Sequence, residues 1–290
     1  MKKVSLDVSY AIQESTNYKA SAFFAQTFSI SWICWFLAPY LGDPENSDAI
    51  FIALMLLGLI SPFTMALYLT ITSNNTHLKK SFLNKLINIK LIRVKSILQF
   101  CLLFFASMIA AIVLSTLFGY SFDQFTIVEE FSFSLGGLPT LLVLLLAAGF
   151  EELGWRGYAI ESLASKLNYF KATLVFGILW SIWHLPMFFI PNSYQAELLQ
   201  EDLILVVNFF ISIVPLAFMI SWFCKKNSGS ILGAILVHFI VNITQEIFQV
   251  SPYTKCIQTI ILVLIAFAIV STNKKMFFGD CTPSAPMEQI

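Results

Sequence analysis

The residues best suited to chemistry are two adjacent carboxylates and a guanidinium, Glu151, Glu152 and Arg156, at the end of an apolar run. Residues 141–150 contain no charged side chain and lead directly into Glu151. A charge in hydrocarbon costs roughly 2.5–3.5 kcal/mol unless it is paired or solvated, so these charges predict a functional site. The spacing of Glu152 and Arg156 suits an ion pair on one helical face. A plain charge cluster at a helix end is the alternative.

Two histidines also lie inside apolar runs. His184 is followed closely by Pro186, and proline commonly kinks a membrane helix beside a cavity. His238 and Asn242 are four residues apart and share one helix face. Counted from the predicted cytoplasmic helix ends, Glu151, the two histidines and Asn242 lie at depths of roughly 11–19 Å. The shared depth predicts one site, although a structural or transport network would also align these groups because buried polar groups need partners.

Direct hydrolysis of a carbonyl group could be carried out by these four groups at a similar membrane depth: a carboxylate, two imidazoles and a carboxamide. The carboxylate takes a proton from water and later gives it to a leaving amine. One imidazole holds the water, and the second imidazole and the amide donate to the developing oxyanion. Neither a serine nor a cysteine is placed as a nucleophile. The chemistry favoured by this set is therefore hydrolysis of a peptide bond by activated water.

Composition identifies the scaffold as an integral membrane protein. Of the 290 residues, 58% are hydrophobic and 12% are charged, whereas soluble domains carry about 25% charge. A membrane span needs about 20 apolar residues. The predicted fold class is all-α, a polytopic membrane protein of about eight transmembrane helices. Spans are predicted near residues 20–41, 49–72, 96–119, 134–157, 172–191, 203–223, 229–248 and 256–272.

Charge along the chain predicts the orientation. With the N-terminus in the cytoplasm, 16 of the 17 lysines and arginines fall in cytoplasmic segments, and only Lys255 falls outside. The outer loops are acidic instead. Because cytoplasmic loops carry an excess of lysine and arginine, the sequence predicts an N-in/C-in chain. The basic loop 73–95 has two interpretations, an amphipathic helix on the membrane surface or a plain loop. Residues 158–171 are predicted to be an interfacial connector.

Taken together, these motifs resemble the CPBP family of intramembrane proteases, also called the Abi or CAAX-protease family, which includes the type II CAAX prenyl endopeptidases. The resemblance covers roughly residues 135–250. The first family motif, Glu-Glu-x-x-x-Arg, is matched from Glu151 to Arg156; the second, an aromatic residue four before a histidine, by Trp180 and His184. The third, His-x-x-x-Asn, is matched by His238 and Asn242. Tryptophan in the second motif departs mildly from the more frequent phenylalanine.

The resemblance implies an eight-helix fold with a membrane cavity open to the cytoplasm and a glutamate-type proteolytic mechanism. Carried over by position, Glu151 would activate water, His184 would position it, and His238 and Asn242 would stabilise the oxyanion. Three residues would shape the site from behind: Glu152, Arg156 and Trp180. The implied division of the chain is a cytoplasmic segment 1–19, N-terminal helices 20–130, a catalytic core 131–272 and a disordered cytoplasmic tail 273–290.

Neither a cofactor nor a metal is predicted, although two histidines and a glutamate leave zinc as an alternative. The predicted partners are membrane lipid and a peptide or protein substrate that enters from the membrane or the cytoplasmic side. The net charge of zero gives no indication of nucleic-acid binding. The chain is predicted to reside in the cell membrane. CAAX-like, signal-peptide-like and bacteriocin or immunity-related substrates all stay open, as does a non-catalytic immunity or transport protein.

Overall fold

The computed structural model describes residues 18–46, 48–128 and 140–279, and within these ranges the chain is all-α, as predicted. Six helices are long and apolar enough to cross a membrane, which confirms a multi-pass membrane protein. The helices are α1 Ala20–Leu41, α2 Ala49–Thr72, α3 Thr76–Ile87, α4 Val94–Ser115, α5 Thr140–Gly154, α6 Ile160–Ala164, α7 Tyr169–Trp183, α8 Tyr194–Glu201, α9 Leu203–Lys226, α10 Ile231–Glu246, α11 Pro252–Thr272 and α12 Lys274–Phe278.

The two remaining predicted spans are present as α5 and α10, which are shorter than the six. Helix α10 packs against α3, α4, α5 and α9, so protein rather than lipid surrounds much of it. The start of the predicted span 134–157 lies outside the described residues. Its end differs from the prediction, because a π-helical turn over Trp155–Ala159 joins α5 directly to α6. The helical path therefore extends to Ala164, and the predicted connector 158–171 is largely helical.

The basic segment between α2 and α4 contains a helix rather than a plain loop. Asn75 caps α3 by accepting hydrogen bonds from the backbone N–H groups of His77 and Leu78. The side chains of Leu78 and Phe82 are buried. Phe82 lies so close to Gly157 that a β-carbon there would come within 2.6 Å of the ring. The apolar face of α3 thus packs against the rest of the protein.

Part of the tail 273–290, which the sequence predicted to be disordered, is helical. Helix α12 buries Phe277, whose ring lies 5.8 Å from those of both Tyr169 and Phe218. Aromatic pairs of this kind stabilise contacts beyond simple burial, which accounts for order that composition alone did not indicate. Residues 280–290 lie outside the described residues, as do residues 1–17 of the predicted N-terminal segment.

An aromatic layer closes the bundle between the segment 151–156 and the N-terminal end of α1. The Trp155 and Tyr158 side chains lie against Phe23, with ring centroids 5.9 and 5.3 Å apart. Phe176 packs on Trp155 at 5.9 Å. All four side chains are almost completely buried. Close packing of such large rings leaves little space for water on this side of the site.

The two ends of the bundle differ in charge. At the basic end, the Lys85 ammonium pairs with Glu161 at 3.1 Å, and the Arg93 backbone N–H donates to Asn227 Oδ1 at 2.8 Å. These contacts join α3, α4, α6 and α9 at the end where α1 begins. Most lysines of the described residues lie here, in the loops and helix ends around positions 19, 79–95, 166–171, 225–226 and 274–275.

At the opposite, acidic end, Gln124 Oε1 accepts from the Ser251 backbone N–H at 3.0 Å, and the Tyr253 hydroxyl donates to Asp202 at 3.2 Å. Eight of the eleven carboxylates of the described residues lie in these loops and helix ends: Asp43, Glu45, Asp48, Asp123, Glu197, Glu201, Asp202 and Glu246. The helical bundle thus keeps apart the two charge classes that the sequence assigned to opposite sides of the membrane.

We expect the basic end to face the cytoplasm, because lysine and arginine are retained on that side. In a background without native cysteines, Glu45→Cys should react with a membrane-impermeant maleimide on intact cells. The matched variant Lys274→Cys, at the other end, should react only after permeabilisation. Both positions are exposed. The reverse labelling pattern would show that the orientation is N-out/C-out.

Candidate active site

The adjacent glutamates of α5 make different contacts. Successive residues of an α-helix point about 100° apart, so neighbouring side chains meet different surroundings. Glu152 is completely buried, and its Oε1 accepts from Arg156 Nη1 at 2.7 Å and from His238 Nδ1 at 2.8 Å. Glu151 instead points towards a cavity and contacts two indoles. The ion pair expected from the i, i+4 spacing of Glu152 and Arg156 is present.

The Arg156 guanidinium is held from more than one side. Its Cζ lies 4.8 Å from the ring centroid of Phe176 and 5.1 Å from that of Trp180. Cations over aromatic faces are stabilised electrostatically, and more so when they are desolvated. The guanidinium therefore contacts one carboxylate and two aromatic rings, and Arg156 is only 2% exposed.

Glu151 is fixed by tryptophans. Its Oε2 accepts from Trp180 Nε1 at 2.7 Å and from Trp155 Nε1 at 3.2 Å. Trp155 opens the π-helical turn, and such turns occur frequently at functional sites. Trp155 is not among the predicted site residues, although its position four residues after Glu151 is a signal that could have identified it. Because both indoles donate to the same oxygen, the other carboxylate oxygen, Oε1, is left for a substrate or water.

Trp180 links Glu151 to both histidines. Its backbone carbonyl is bonded to His184 Nδ1 at 2.8 Å, and its ring meets His238 edge-on at a centroid distance of 5.4 Å. Since a carbonyl oxygen only accepts, His184 carries a proton on Nδ1 and its Nε2 is the nitrogen available for other contacts. The aromatic residue that the sequence placed behind the site is thus in direct contact with three of the four predicted catalytic residues, all but Asn242.

His238 is oriented from behind by Glu152. The carboxylate accepts the hydrogen bond from Nδ1, which leaves Nε2 as the free nitrogen of this ring as well. Asn242 lies one helical turn further along α10, on the same face. Glu152 therefore fixes the orientation of the His238 ring.

A cavity of about 270 Å³ brings the predicted residues together. Its walls near α5 and α10 include Glu151, Trp180, His184, His238 and Asn242. Glu152 and Arg156 are absent from the lining among the residues that the structure describes. Glu152 and Arg156 thus lie behind the cavity as predicted, whereas Trp180, predicted to lie behind the site with them, is part of the cavity wall. The catalytic role of each residue stays a prediction.

The cavity extends from these residues towards the acidic end of the bundle. Its far walls include Tyr194 and Gln195 of α8, Glu246 at the end of α10 and Lys255 near the start of α11. The remaining walls are mostly apolar side chains of α1, α2, α9 and α11. The sequence predicted an N-in/C-in chain and also a cavity open to the cytoplasm. The side of the membrane to which the cavity opens stays a prediction.

A metal site was considered because the set contains two histidines and a glutamate. In the part of the chain that the structure describes, no three His, Cys, Asp or Glu side chains are grouped closely enough to hold a metal ion. Two histidines and a glutamate are nevertheless a donor set that catalytic zinc sites use. Zinc coordination therefore stays the alternative to a water activated by a carboxylate.

We expect Glu152→Gln to destabilise the protein by roughly 3–5 kcal/mol, because it leaves the Arg156 guanidinium buried without its counter-charge. The unfolding free energy of the purified protein in detergent measures this. Glu161→Gln is the matched control, since it removes the carboxylate from the partly exposed pair with Lys85. The control should lose less than about 1 kcal/mol. Equal stability of the two variants would contradict a structural role for Glu152.

Comparison with known proteins gives the family. A sequence model described as "Type II CAAX prenyl endopeptidase Rce1-like" matches residues 134–244, which contain all seven predicted site residues. The chain is also 45% identical over 264 residues to a Methanococcus maripaludis protein named CAAX prenyl protease 2, and the match covers 91% of this chain and 97% of that protein. The chain therefore belongs to the Rce1-like family of type II CAAX prenyl endopeptidases, membrane-embedded proteases.

Proposed function

We propose that the protein is an intramembrane endopeptidase in which Glu151 activates a water molecule for direct attack on a peptide bond. The observation that carries this proposal is the environment of the Glu151 carboxylate. One oxygen is held by two indole N–H groups, and the side chain lines a cavity shared with His184, His238 and Asn242. A positioned base facing a substrate-sized cavity, with donors on the opposing helix, is the arrangement that hydrolysis of a carbonyl requires.

In the proposed reaction, His184 Nε2 accepts a hydrogen bond from the water and orients it. Glu151 takes a proton from this water while the hydroxide adds to the carbonyl carbon. The resulting tetrahedral intermediate collapses by breaking the C–N bond, and Glu151 returns the proton to the leaving amine. The products are a new carboxyl terminus and a free amine. The reaction needs neither a covalent enzyme intermediate nor a cofactor.

The oxyanion of the intermediate would be stabilised from α10. Asn242 donates from its amide N–H, and His238 donates from Nε2. Because Glu152 already accepts from Nδ1, His238 can donate at Nε2 only as an imidazolium. The charges then balance: Glu152 offsets one of the two cations, Arg156 and His238, and the remaining positive charge faces the oxyanion. This arrangement gives Glu152 and Arg156 an electrostatic role at a distance from the substrate.

The name of the Methanococcus maripaludis relative, CAAX prenyl protease 2, favours a prenylated, CAAX-like substrate. The cavity suits such a segment, since its walls include apolar side chains such as Trp35, Leu59 and Phe209. Substrate would reach Glu151 through the part of the cavity that extends to the acidic end. The labelling of Glu45→Cys and Lys274→Cys therefore also identifies the compartment from which the substrate arrives.

We expect Glu151→Gln to abolish cleavage of an internally quenched, prenylated CAAX peptide by the protein in lipid nanodiscs. The loss should be at least ~100-fold, as for removal of a general base. Stability should change little, because the glutamine oxygen can accept from the same two indoles. Glu197→Gln, which alters an exposed carboxylate on α8, is the matched control and should keep the wild-type rate.

Full activity in a cleanly purified Glu151→Gln protein would refute the proposed role of Glu151. A chelator distinguishes the zinc alternative in the same assay. We expect 1,10-phenanthroline to leave the rate unchanged, whereas loss of activity that added zinc restores would favour a zinc hydrolase. A biological activity that persists in a Glu151→Gln/His184→Ala double variant would favour the non-catalytic immunity or transport alternative.

A further inference from the structure

The acidic end of the cavity contains a cation that the proposed reaction does not use. Lys255 is the one lysine or arginine among the lining residues that the structure describes. It is also the basic residue that the sequence placed apart from the other 16. Acidic side chains dominate this end of the bundle, so the position of a single lysine on the wall of the catalytic cavity calls for a specific explanation.

The contacts of Lys255 leave its charge available to a ligand. Its ammonium lies 4.6 Å from the ring centroid of Tyr194, another lining residue. Among described residues it forms no ion pair with a carboxylate, Glu246 of the same cavity included. A cation held over an aromatic ring stays positioned while keeping N–H donors for an anion. The ligand chemistry that fits is therefore a carboxylate presented inside the cavity.

The distance between Lys255 and the catalytic residues can be estimated from helix geometry. Gln245 of α10 donates to Gln258 of α11 at 3.0 Å, so these two residues lie at one level. His238 precedes Gln245 by seven residues, and Lys255 precedes Gln258 by three. The two helices run in opposite directions, so at about 1.5 Å per residue Lys255 lies roughly 15 Å from His238 along the helix axes. An extended peptide spans that distance with roughly four to five residues.

We propose that Lys255 binds the C-terminal carboxylate of the substrate and so fixes the distance between the cleaved bond and a free C-terminus. The inference rests on the proposed function, because it assumes that a peptide lies along the cavity with its scissile bond at Glu151. Binding at Lys255 would make the protein measure distance from the chain end. An acidic side chain could supply the same chemistry, and the experiment below separates the two sources.

The test compares three internally quenched, prenylated CAAX peptides: one with a free carboxylate, one with a C-terminal amide, and one with the amide and a glutamate as the last residue. We expect the wild-type protein to cleave the free acid roughly tenfold faster than the plain amide, as kcat/KM. Lys255→Met should lower the rate on the free acid to that on the amide and leave the amide rate unchanged. Lys255→Arg should keep the preference for the acid.

Lys226→Met is the matched control. Its ammonium lies 4.5 Å from the ring of Trp222 at the basic end, in the same kind of contact as Lys255 with Tyr194. This variant should cleave the acid and the amide as the wild type does. A merely structural role of Lys255 would lower the rates on both peptides equally, which would overturn the proposal.

Two other outcomes would also overturn it. One is an equal rate of wild-type protein on acid and amide. The other is cleavage of the glutamate-ended amide as fast as the free acid, with loss in Lys255→Met, because a side-chain carboxylate would then be the ligand. Failure of the proposed function is seen separately, as absence of cleavage by the wild type or unchanged cleavage by Glu151→Gln.

Discussion

The geometry of the site depends on the hydrogen bonds that the buried Glu152 carboxylate accepts. It holds the Arg156 guanidinium and the His238 imidazole at 2.7 and 2.8 Å in a part of the membrane bundle that excludes solvent. A buried cation without a partner would be strongly unfavourable there. The same carboxylate joins α5 to α10, and so it sets the position of His238 and Asn242 relative to Glu151.

Aromatic side chains position the remaining polar groups of the site. Trp180 donates to Glu151 from its indole N–H, accepts from His184 at its backbone carbonyl and packs against the His238 ring in a T-shaped contact. Trp155 adds a second hydrogen bond to Glu151 from the π-helical turn. Large rings have few rotatable bonds and fill the space from which water must be excluded. The outcome is a polar cluster that is rigid on the basic side and faces a cavity on the acidic side.

Much of this organisation could be predicted from the sequence. The helical class, the six long spans and the gathering of Glu151, His184, His238 and Asn242 follow from apolar runs, intramembrane polar residues and i, i+4 spacing. Three features could not be predicted in this way. The π-helical turn at Trp155 depends on tertiary packing. The order of α12 depends on contacts of Phe277 with distant residues. The direction of the cavity depends on which helix ends diverge, and periodicity carries no information about that.

The distinction between the two glutamates also needed the three-dimensional structure. In the sequence, Glu151 and Glu152 are adjacent and chemically identical, and only the i, i+4 relation of Glu152 to Arg156 separated them. The structure adds His238 as a second partner of Glu152 and two indoles as partners of Glu151. Lys255 was the one basic residue that the charge pattern did not place in a cytoplasmic segment. It lies on the wall of the same cavity.

The most direct test of the account is an experimental structure of the Glu151→Gln protein with an uncleaved prenylated CAAX peptide. We expect the scissile carbonyl carbon to lie beside residue 151, with its oxygen within hydrogen-bonding distance of His238 Nε2 and the Asn242 amide, at roughly 2.7–3.1 Å. A peptide bound outside this cavity, or with its scissile bond next to Glu152 instead, would contradict the central claim that Glu151 is the residue that activates water.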